Sequence, residues 1–162
     1  IRKKYGIGKN DFVLFFMGWL YHFSGLKEVA MELAKTKNKN LGIKILIVGE
    51  GDAYDSLQNI INENGFEEHV ILAGQQPFEK IPEYIAAADV CMLPAYNNDI
   101  MRDIVPIKMY EYMAMGRPVV STKLPGVMKE FGEGHGISYV DKPEDVLWEK
   151  VTDEFEGSLE IV

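Results

Sequence analysis

Short, continuously apolar runs alternate along this chain with segments whose apolar residues recur at helical spacing. The first run extends from Phe12 to Met17, and the next segment carries apolar residues on one helical face between Leu26 and Ala34. A continuous apolar run bounded by turn residues is typical of a strand that is buried on both faces. Because strands of this kind that alternate with helices form parallel sheets, repeated strand-helix units are expected.

The same alternation continues to the end of the chain. We predict further strands at residues 43–48, 70–73, 90–93, 119–121 and 137–140. Helices are predicted around residues 54–61 and 81–88, from Pro106 to Met115, and from Pro143 onward. About six units of this kind predict an α/β fold with a doubly wound, Rossmann-like parallel sheet of about six strands and helices on both faces.

Length and charge limit the number of domains and the kinds of partner that are expected for this chain. A chain of 162 residues fits one domain. Nucleic acid is not an expected partner, because its phosphates need clustered Lys and Arg and this chain has 25 acidic against 17 basic residues.

The longest strongly apolar stretch, Phe12 to Leu20, is too short to span a bilayer. The basic stretches Arg2 to Lys4 and Lys35 to Lys39 leave peripheral contact with an anionic membrane surface as a weaker alternative to solvated helix edges.

Cysteine and histidine bear on the compartment and on metal binding. Cys91 lies within an apolar run and is expected to fill the core, which suits a reducing compartment such as the cytoplasm. His69 and His135 are isolated in sequence from Cys91 and from each other, so no metal site is predicted.

A ligand is expected beyond the carboxyl ends of the strands, where doubly wound sheets bind their ligands. Gly18, Gly49 and Gly74 begin three of the loops at that edge. A glycine there lets a ligand approach the backbone closely, but it can also simply end the strand. Gly49-Glu50-Gly51 lacks the third glycine of the dinucleotide fingerprint, so a dinucleotide cofactor is not expected.

The segment from Asp103 to Pro118 combines several signals for an anionic ligand. A helix that begins near Pro106 offers free N–H groups and the positive end of its dipole, and Lys108 adds a full charge in the first turn. Glu111 lies on the following turn, where its carboxylate can accept hydrogen bonds from paired hydroxyls such as those of a ribose. Tyr110, Met113 and Ala114 are expected to pack inward.

The same segment resembles a known family. Asp103, seven residues and then Glu111-Tyr-Met-Ala-Met-Gly-Arg-Pro-Val-Val resemble the E-x7-E segment of the family 4 retaining glycosyltransferases of the GT-B fold. Val48-Gly-Glu-Gly, Val70-Ile-Leu-Ala-Gly and Ala86-Ala-Ala-Asp-Val-Cys-Met-Leu-Pro resemble that family in the same order. Other GT-B-like enzymes, such as a sugar-nucleotide epimerase or a glycogen-type transferase, are expected to lack the string from Asp103 to Pro118.

The resemblance covers Phe12 to about Pro143 and implies a domain organisation. Residues 11–162 correspond to the carboxyl-terminal, donor-binding domain, and residues 1–10 to the end of the interdomain linker. The amino-terminal, acceptor-binding domain is then absent from this chain. The implied activity is hexosyl transfer with retention from a nucleotide diphosphate sugar, which is the substrate, with no separate cofactor. The isolated domain is expected to bind the donor without turnover.

The resemblance also assigns residues. Glu111 is implied to bind the donor ribose, Asp103 to meet the sugar hydroxyls, and the loop Gln75-Gln76-Pro77 to hold the base. Asp103 and Glu111 are the catalytic candidates. The implied donor site consists of Gly18, Trp19, Ser24, Gly49, Gln75, Gln76, Pro106, Ile107, Lys108 and Glu111.

Two departures from the family bear on this assignment. Where the family has an Arg after the first glycine and a Lys five positions later, this chain has Trp19 and Ser24, and Asp103 replaces the usual Glu. Each lost charge-assisted contact is worth roughly 1.5 to 3 kcal/mol. Lys108 is the preferred source of the missing charge; the alternatives are the absent domain, or a non-catalytic module that binds a nucleotide or sugar phosphate.

Overall fold

A parallel sheet of six strands organises residues 1–36 and 41–151, the part of the chain that the computed structural model describes. The strand order is β3-β2-β1-β4-β5-β6. The strands are β1 (Phe12–Met17), β2 (Ile43–Val48), β3 (Val70–Gly74), β4 (Val90–Leu93), β5 (Val119–Thr122) and β6 (Ile137–Val140). The predicted α/β fold with a doubly wound parallel sheet is confirmed, and each predicted strand lies within two residues of its expected bounds.

Helices connect the strands. They are α1 (Leu26–Ala34), α2 (Tyr54–Glu63), α3 (Ile81–Ala86), α4 (Ile107–Ala114) and α5 (Pro125–Phe131). After β6 the chain forms a 3-10 turn at Pro143–Asp145 and continues as helix through residues 146–151. The helix α5 was not predicted. None of the helices in residues 1–36 and 41–151 has the length and apolar character needed to cross a membrane.

The core consists of two clusters, one on each face of the sheet. Alternate residues of β1 supply them: Leu14 and Phe16 pack with α1, α2 and residues 146–151, whereas Val13, Phe15 and Met17 pack with α3, α4 and α5. This alternation is the period of two that any strand has. Helices therefore cover both faces, as predicted.

Cys91 belongs to the second cluster and is fully buried. Removal from water raises the pKa of its thiol to about 12, because burial disfavours the thiolate. The side chain is therefore a neutral core residue, as predicted.

Helix α4 presents a different face to the core from the one predicted. Met109 and Tyr112 are fully buried, and the Tyr112 hydroxyl accepts a hydrogen bond from the Met17 N–H at 3.2 Å. Tyr110 is 47% exposed and Ala114 is also exposed, so the prediction that they pack inward is wrong; Met113 is partly buried against the core. Six of the eight residues of α4 are apolar or aromatic, so the sequence did not distinguish its buried side from its exposed side.

The first residues of the chain pack against α3 and the segment that follows it. Arg2 donates a hydrogen bond to the Ala87 carbonyl at 3.0 Å and forms an ion pair with Asp89 at 2.9 Å. The hydroxyls of Tyr5 and Tyr84 are hydrogen-bonded at 2.8 Å. The predicted linker segment therefore contacts α3 and the residues that join α3 to β4. Most of the predicted basic stretch Lys35 to Lys39, and the end of the predicted domain after residue 151, lie outside the described residues.

Candidate functional site

A cavity of about 660 Å³ opens at the carboxyl ends of β1, β2 and β4. The chain order of the strands reverses between β1 and β4, and this switch point is where open α/β sheets bind ligands. The volume lies within the range of about 300 to 1,000 Å³ that small-molecule sites occupy. The structure brings together at this cavity all of the predicted donor-site residues, namely Gly18, Trp19, Ser24, Gly49, Gln75, Gln76, Pro106, Ile107, Lys108 and Glu111.

The loops after β1 and β2 touch each other at two glycines. A Cβ atom added to Gly49 would lie 1.9 Å from the Gly18 carbonyl oxygen. Gly49 also has a φ of 137°, which side chains rarely adopt. Gly49 is therefore required for contact between the two loops, and this contact accounts for the glycine without a ligand.

Gly18 makes room for Lys108. A Cβ atom added to Gly18 would lie 2.5 Å from the Lys108 Nζ atom. The same Nζ atom lies 4.0 Å from the centroid of the Phe16 ring. The ammonium of Lys108 thus reaches from α4 across to the end of β1.

Burial lowers the pKa of Lys108 to about 7, and the negative charge of Glu111 opposes this shift only in part. The cause is that the charged ammonium loses hydration among Phe16 and the backbone of Gly18, and a cation over an aromatic ring recovers only part of that loss. The charge of this side chain is therefore sensitive to any anion that enters the cavity.

The first turn of α4 faces the same cavity. The N-cap residue Pro106 has no side-chain acceptor, and its carbonyl accepts a hydrogen bond from the Met109 N–H at 3.1 Å. The first N–H groups of a helix have no partner within it, and they carry the positive end of the helix dipole. Together with the Lys108 ammonium they make this end of the cavity suitable for an anion.

Two carboxylates also line the cavity. Glu111 is partly buried and follows Ile107 by four residues, so both lie on the same side of α4. Glu50 is exposed in the loop after β2. Carboxylates beside an anion-binding region suit a ligand that carries hydroxyl groups as well as a negative charge.

Asp103 does not line the cavity. Its side chain is 76% exposed, and its carboxylate lies 3.4 Å from the Nε atom of Arg102. Arg102 is also 3.7 Å from Asp99. The backbone at Asp103 packs against Gly126, where an added Cβ atom would lie 2.7 Å from the Asp103 carbonyl carbon. The structure thus holds the backbone of Asp103 in a packed loop and leaves its carboxylate exposed, outside the lining of the cavity.

The remaining predicted residues form the opposite walls. The Gln76 side-chain amide donates a hydrogen bond to the Ala73 carbonyl at 2.8 Å, which fixes it at the end of β3, and Gln75 is exposed. The Ser24 hydroxyl is buried and accepts a hydrogen bond from the Tyr21 N–H at 3.0 Å. Trp19 is 48% exposed at the rim. Ser24 therefore stabilises its own loop, whereas Trp19 presents a large apolar surface to the cavity.

Phe16, Glu50 and Phe78 are among the lining residues that were not predicted from the sequence. Phe16 contacts Lys108, Glu50 adds a carboxylate, and Phe78 is 75% exposed beside Gln76. Glu50 lies inside the Gly49-Glu50-Gly51 motif, so its position after β2 was a usable signal. In the sequence Phe16 is one residue of an apolar strand, and no sequence pattern indicates its contact with Lys108. Within the described ranges 1–36 and 41–151, no three His, Cys, Asp or Glu side chains are grouped to hold a metal ion.

Comparison with known proteins shows that one protein family matches most of this chain. The model of the glycosyl transferases of group 1 matches residues 1–157. The amylovoran biosynthesis glycosyltransferase AmsK of Erwinia amylovora is 33% identical over 101 residues, which are 61% of this chain and 25% of AmsK. A GDP-mannose-dependent alpha-(1-6)-phosphatidylinositol monomannoside mannosyltransferase of Mycolicibacterium smegmatis is 27% identical over 143 residues, which are 87% of this chain and 37% of that enzyme.

Solved structures agree on the fold. Anabaena HepE in complex with UDP-glucose superposes with a TM-score of 0.74 at 20% identity, over 98% of this chain and 42% of HepE. At that identity the likeness concerns the fold alone, which is Rossmann-like and of the GT-B type. The chain spans less than half the length of each of these proteins.

Proposed function

Because the chain belongs to the glycosyl transferases of group 1, we propose that it is the carboxyl-terminal, donor-binding half of a retaining hexosyltransferase of family 4. Its ligand is a nucleotide diphosphate sugar, which is a substrate and not a cofactor. The observation that carries this proposal is the position of Lys108, which lies in the first turn of α4 and carries its ammonium to Gly18 in the cavity at the switch point of the sheet.

The diphosphate lies between the loop after β1 and the start of α4. Its oxygens accept hydrogen bonds from the N–H groups near Ile107 and Lys108, and the Lys108 ammonium neutralises part of the charge. Preorganised donors of this kind stabilise negative charge that develops on a departing group. Lys108 thereby replaces the cations that the family has at the positions of Trp19 and Ser24.

The ribose lies against Glu111, whose carboxylate accepts hydrogen bonds from its two hydroxyls. The base lies on the wall formed by Gln75 and Gln76, next to the exposed ring of Phe78. Asp103 is the candidate for the sugar hydroxyls, as the family segment implies. Since its carboxylate lies outside the cavity lining and beside Arg102, this role requires the loop before α4 to move when the donor binds.

The donor class is supported by the named relatives. HepE was solved with UDP-glucose, and the mycobacterial relative uses GDP-mannose. Each carries a nucleoside diphosphate, so UDP-glucose and GDP-mannose are the two donors to test first.

The acceptor is proposed to bind to an amino-terminal domain outside this chain. This is consistent with the share of 25% to 37% of the curated relatives that the chain spans. The chain alone then binds the donor without transferring the sugar. In the whole enzyme we place the reaction in the cytoplasm, with any peripheral membrane contact made through the amino-terminal domain.

Calorimetric titration of the chain with UDP, GDP, UDP-glucose and GDP-mannose tests this function. We expect one nucleotide to bind selectively and Lys108→Ala to raise its dissociation constant about 10- to 100-fold, as loss of a charge-assisted hydrogen bond predicts. Lys123→Ala is the matched control, because Lys123 is exposed, pairs with Asp141 and does not line the cavity. An unchanged dissociation constant for Lys108→Ala would remove Lys108 from the phosphate site.

The alternative function is a binding module without catalysis, which the replacement of two family cations by Trp19 and Ser24 favours. The two functions differ in turnover and not in binding. A transfer assay on the whole protein distinguishes them, and the anomeric configuration of its product, read by NMR, tests retention.

A further inference from the structure

The cavity extends from the loop after β3 at one end to the loop after β4 at the other, with the end of β1 between them. Gln75 and Gln76 line the β3 end, and the Lys108 ammonium meets Gly18 at the end of β1. In the function proposed above, the base lies at the first of these places and the diphosphate at the second. Because the sugar is joined to the side of the diphosphate opposite the nucleoside, it lies at the β4 end of the cavity.

The loop between β4 and α4 turns its apolar side chains toward this end of the cavity. Its residues that line the cavity are all apolar, namely Ala95, Met101, Ile104 and Pro106. Its amide and charged residues lie outside the lining, namely Asn97, Asn98, Asp99, Arg102 and Asp103. The loop therefore contains polar side chains in the number that a sugar would need, and it places apolar ones in the cavity instead.

Hydrogen bonds within the protein hold this loop in that arrangement. The Asn98 side-chain oxygen accepts a hydrogen bond from the Met101 N–H at 2.8 Å. One residue further along, the Arg102 carbonyl accepts a hydrogen bond from the Gly126 N–H at 2.8 Å. The apolar lining is thus formed without any change in the loop, whereas the Asp103 carboxylate reaches the cavity only if the loop moves.

The turn after β1 completes the same end of the cavity with two aromatic rings. Tyr21 and Phe23 both line the cavity, and their rings are stacked with centroids 4.6 Å apart. The Phe23 carbonyl accepts a hydrogen bond from the Tyr96 N–H at 2.9 Å, which places this turn beside the loop after β4. The Ala95 carbonyl likewise accepts a hydrogen bond from the Thr122 hydroxyl at 2.6 Å. These backbone acceptors are therefore already bonded within the protein.

A fully hydroxylated hexose suits such a surface poorly. A hydroxyl that leaves water and finds no partner costs free energy, whereas a methyl group gains from the same transfer. We propose that the donor sugar carries a methyl group, as the carbon of a 6-deoxy sugar or within an N-acetyl group, and that the β4 end of the cavity selects for it. The inference rests on the proposed function and names the class of sugar for that site.

Calorimetric titration of the 162-residue chain tests this selection. The UDP series consists of UDP-glucose, UDP-6-deoxyglucose and UDP-N-acetylglucosamine, and the GDP series of GDP-mannose, GDP-6-deoxymannose and GDP-N-acetylmannosamine. Within a series the base and the diphosphate are constant, so a ratio of dissociation constants reports on the sugar alone. We expect one methyl-bearing sugar to bind about 10-fold or more tightly than its parent hexose, as one methyl group in an apolar pocket predicts. Which of the two binds tightly identifies the source of the methyl group.

Ile104 is the residue to change, because it lines the cavity and is exposed, so that the core does not depend on it. We expect Ile104→Asn to bring the ratio between the methyl-bearing sugar and its parent close to one. Ile100→Asn is the matched control, since Ile100 is exposed in the same loop and does not line the cavity. It should keep the ratio of the wild type.

Free UDP and GDP show whether a variant retains the rest of the site, because they lack the sugar. Ile104→Asn should bind them as the wild type does. If it does not, Ile104→Ala replaces it, since this change removes apolar contact without adding a polar group, and the same fall in the ratio is expected.

The outcomes separate this inference from the proposed function. Parent hexoses that bind as tightly as both of their methyl-bearing counterparts would overturn the inference and leave the donor site standing. A preference that persists in the Ile104 variants, or one that Ile100→Asn also removes, would overturn it equally, because the methyl group would then not be recognised at this wall of the cavity. Failure of every nucleotide in both series to bind would contradict the proposed function, and the inference with it.

Discussion

At the scale of single residues, Lys108 and Gly18 form the contact on which the site depends. The Nζ atom occupies the space that a side chain at Gly18 would need. A cation carried by α4 therefore reaches the loop after β1, the loop in which the family resemblance places an Arg and a Lys. The same charge can thus be delivered from the opposite side of the cavity, which explains how Trp19 and Ser24 are compatible with a diphosphate ligand.

Glu111 is predicted to accept hydrogen bonds from the hydroxyls of the donor ribose. We expect UDP to bind the chain more tightly than 2′-deoxy-UDP or 3′-deoxy-UDP, and Glu111→Gln to weaken UDP and narrow these differences. Loss of a charged acceptor corresponds to roughly 1.5 to 3 kcal/mol, or about 10- to 100-fold in affinity. Because Glu111 also raises the pKa of Lys108, the comparison is made at pH 6, where Lys108 is charged in the wild type.

The control for this prediction is Glu130→Gln. Glu130 accepts a hydrogen bond from Tyr110 at 2.8 Å and does not line the cavity, so its substitution should leave every affinity unchanged. Equal binding of UDP and both deoxy nucleotides by the wild type would show that Glu111 does not contact the ribose.

The sequence identified residues that line the cavity more reliably than it identified where their side chains lie. The predicted donor residues line one cavity because the resemblance assigned them to the loops after β1, β2 and β3 and to the first part of α4, and these segments meet at the carboxyl edge of the sheet. The inward course of Lys108 over Phe16 was not foreseen, because it depends on packing across the sheet. Asp103 lies apart because the spacing of a motif does not fix the path of the irregular loop between β4 and α4.

At the scale of elements, α5 holds the loop that precedes α4. The Gly126 N–H donates a hydrogen bond to the Arg102 carbonyl at 2.8 Å, and a Cβ atom at Gly126 would lie within 2.9 Å of three backbone atoms of Asp103 and Ile104. This close packing connects the second half of the sheet to the loop that leads into the cavity. The sequence did not predict α5, because it has only seven residues and begins with Pro125-Gly126, a pair typical of turns.

Gly126→Ala is predicted to destabilise the protein. The added methyl group collides with backbone atoms that cannot rotate away, and overpacking of this kind costs roughly 1 to 3 kcal/mol in free energy of unfolding. Urea denaturation followed by Trp fluorescence measures the change as a lower midpoint.

Lys129→Ala serves as the control on the same helix. Its side chain is exposed, so we expect a change within about 0.5 kcal/mol. A Gly126→Ala midpoint equal to that of the wild type would show that the loop shifts freely, and that α5 does not hold Asp103 in place.

At the scale of the whole molecule, the alternation of apolar runs and amphipathic segments was enough to predict the fold. Fully apolar strands such as Val90–Leu93 can be buried only when both faces of the sheet are covered. The switch point and its cavity follow from that architecture. The identity of the ligand does not, because an α/β sheet of this kind hosts many functions and the ligand depends on a few side chains at its edge.

The central claim is that a nucleotide diphosphate binds between the loop after β1 and the first turn of α4. A crystal structure of this chain with UDP or UDP-glucose tests it most directly. We predict phosphate oxygens within hydrogen-bond distance, about 3 Å, of the Lys108 Nζ atom and of the N–H groups at the start of α4. A nucleotide bound outside this cavity, or one whose diphosphate lies away from Lys108 and α4, would contradict the account.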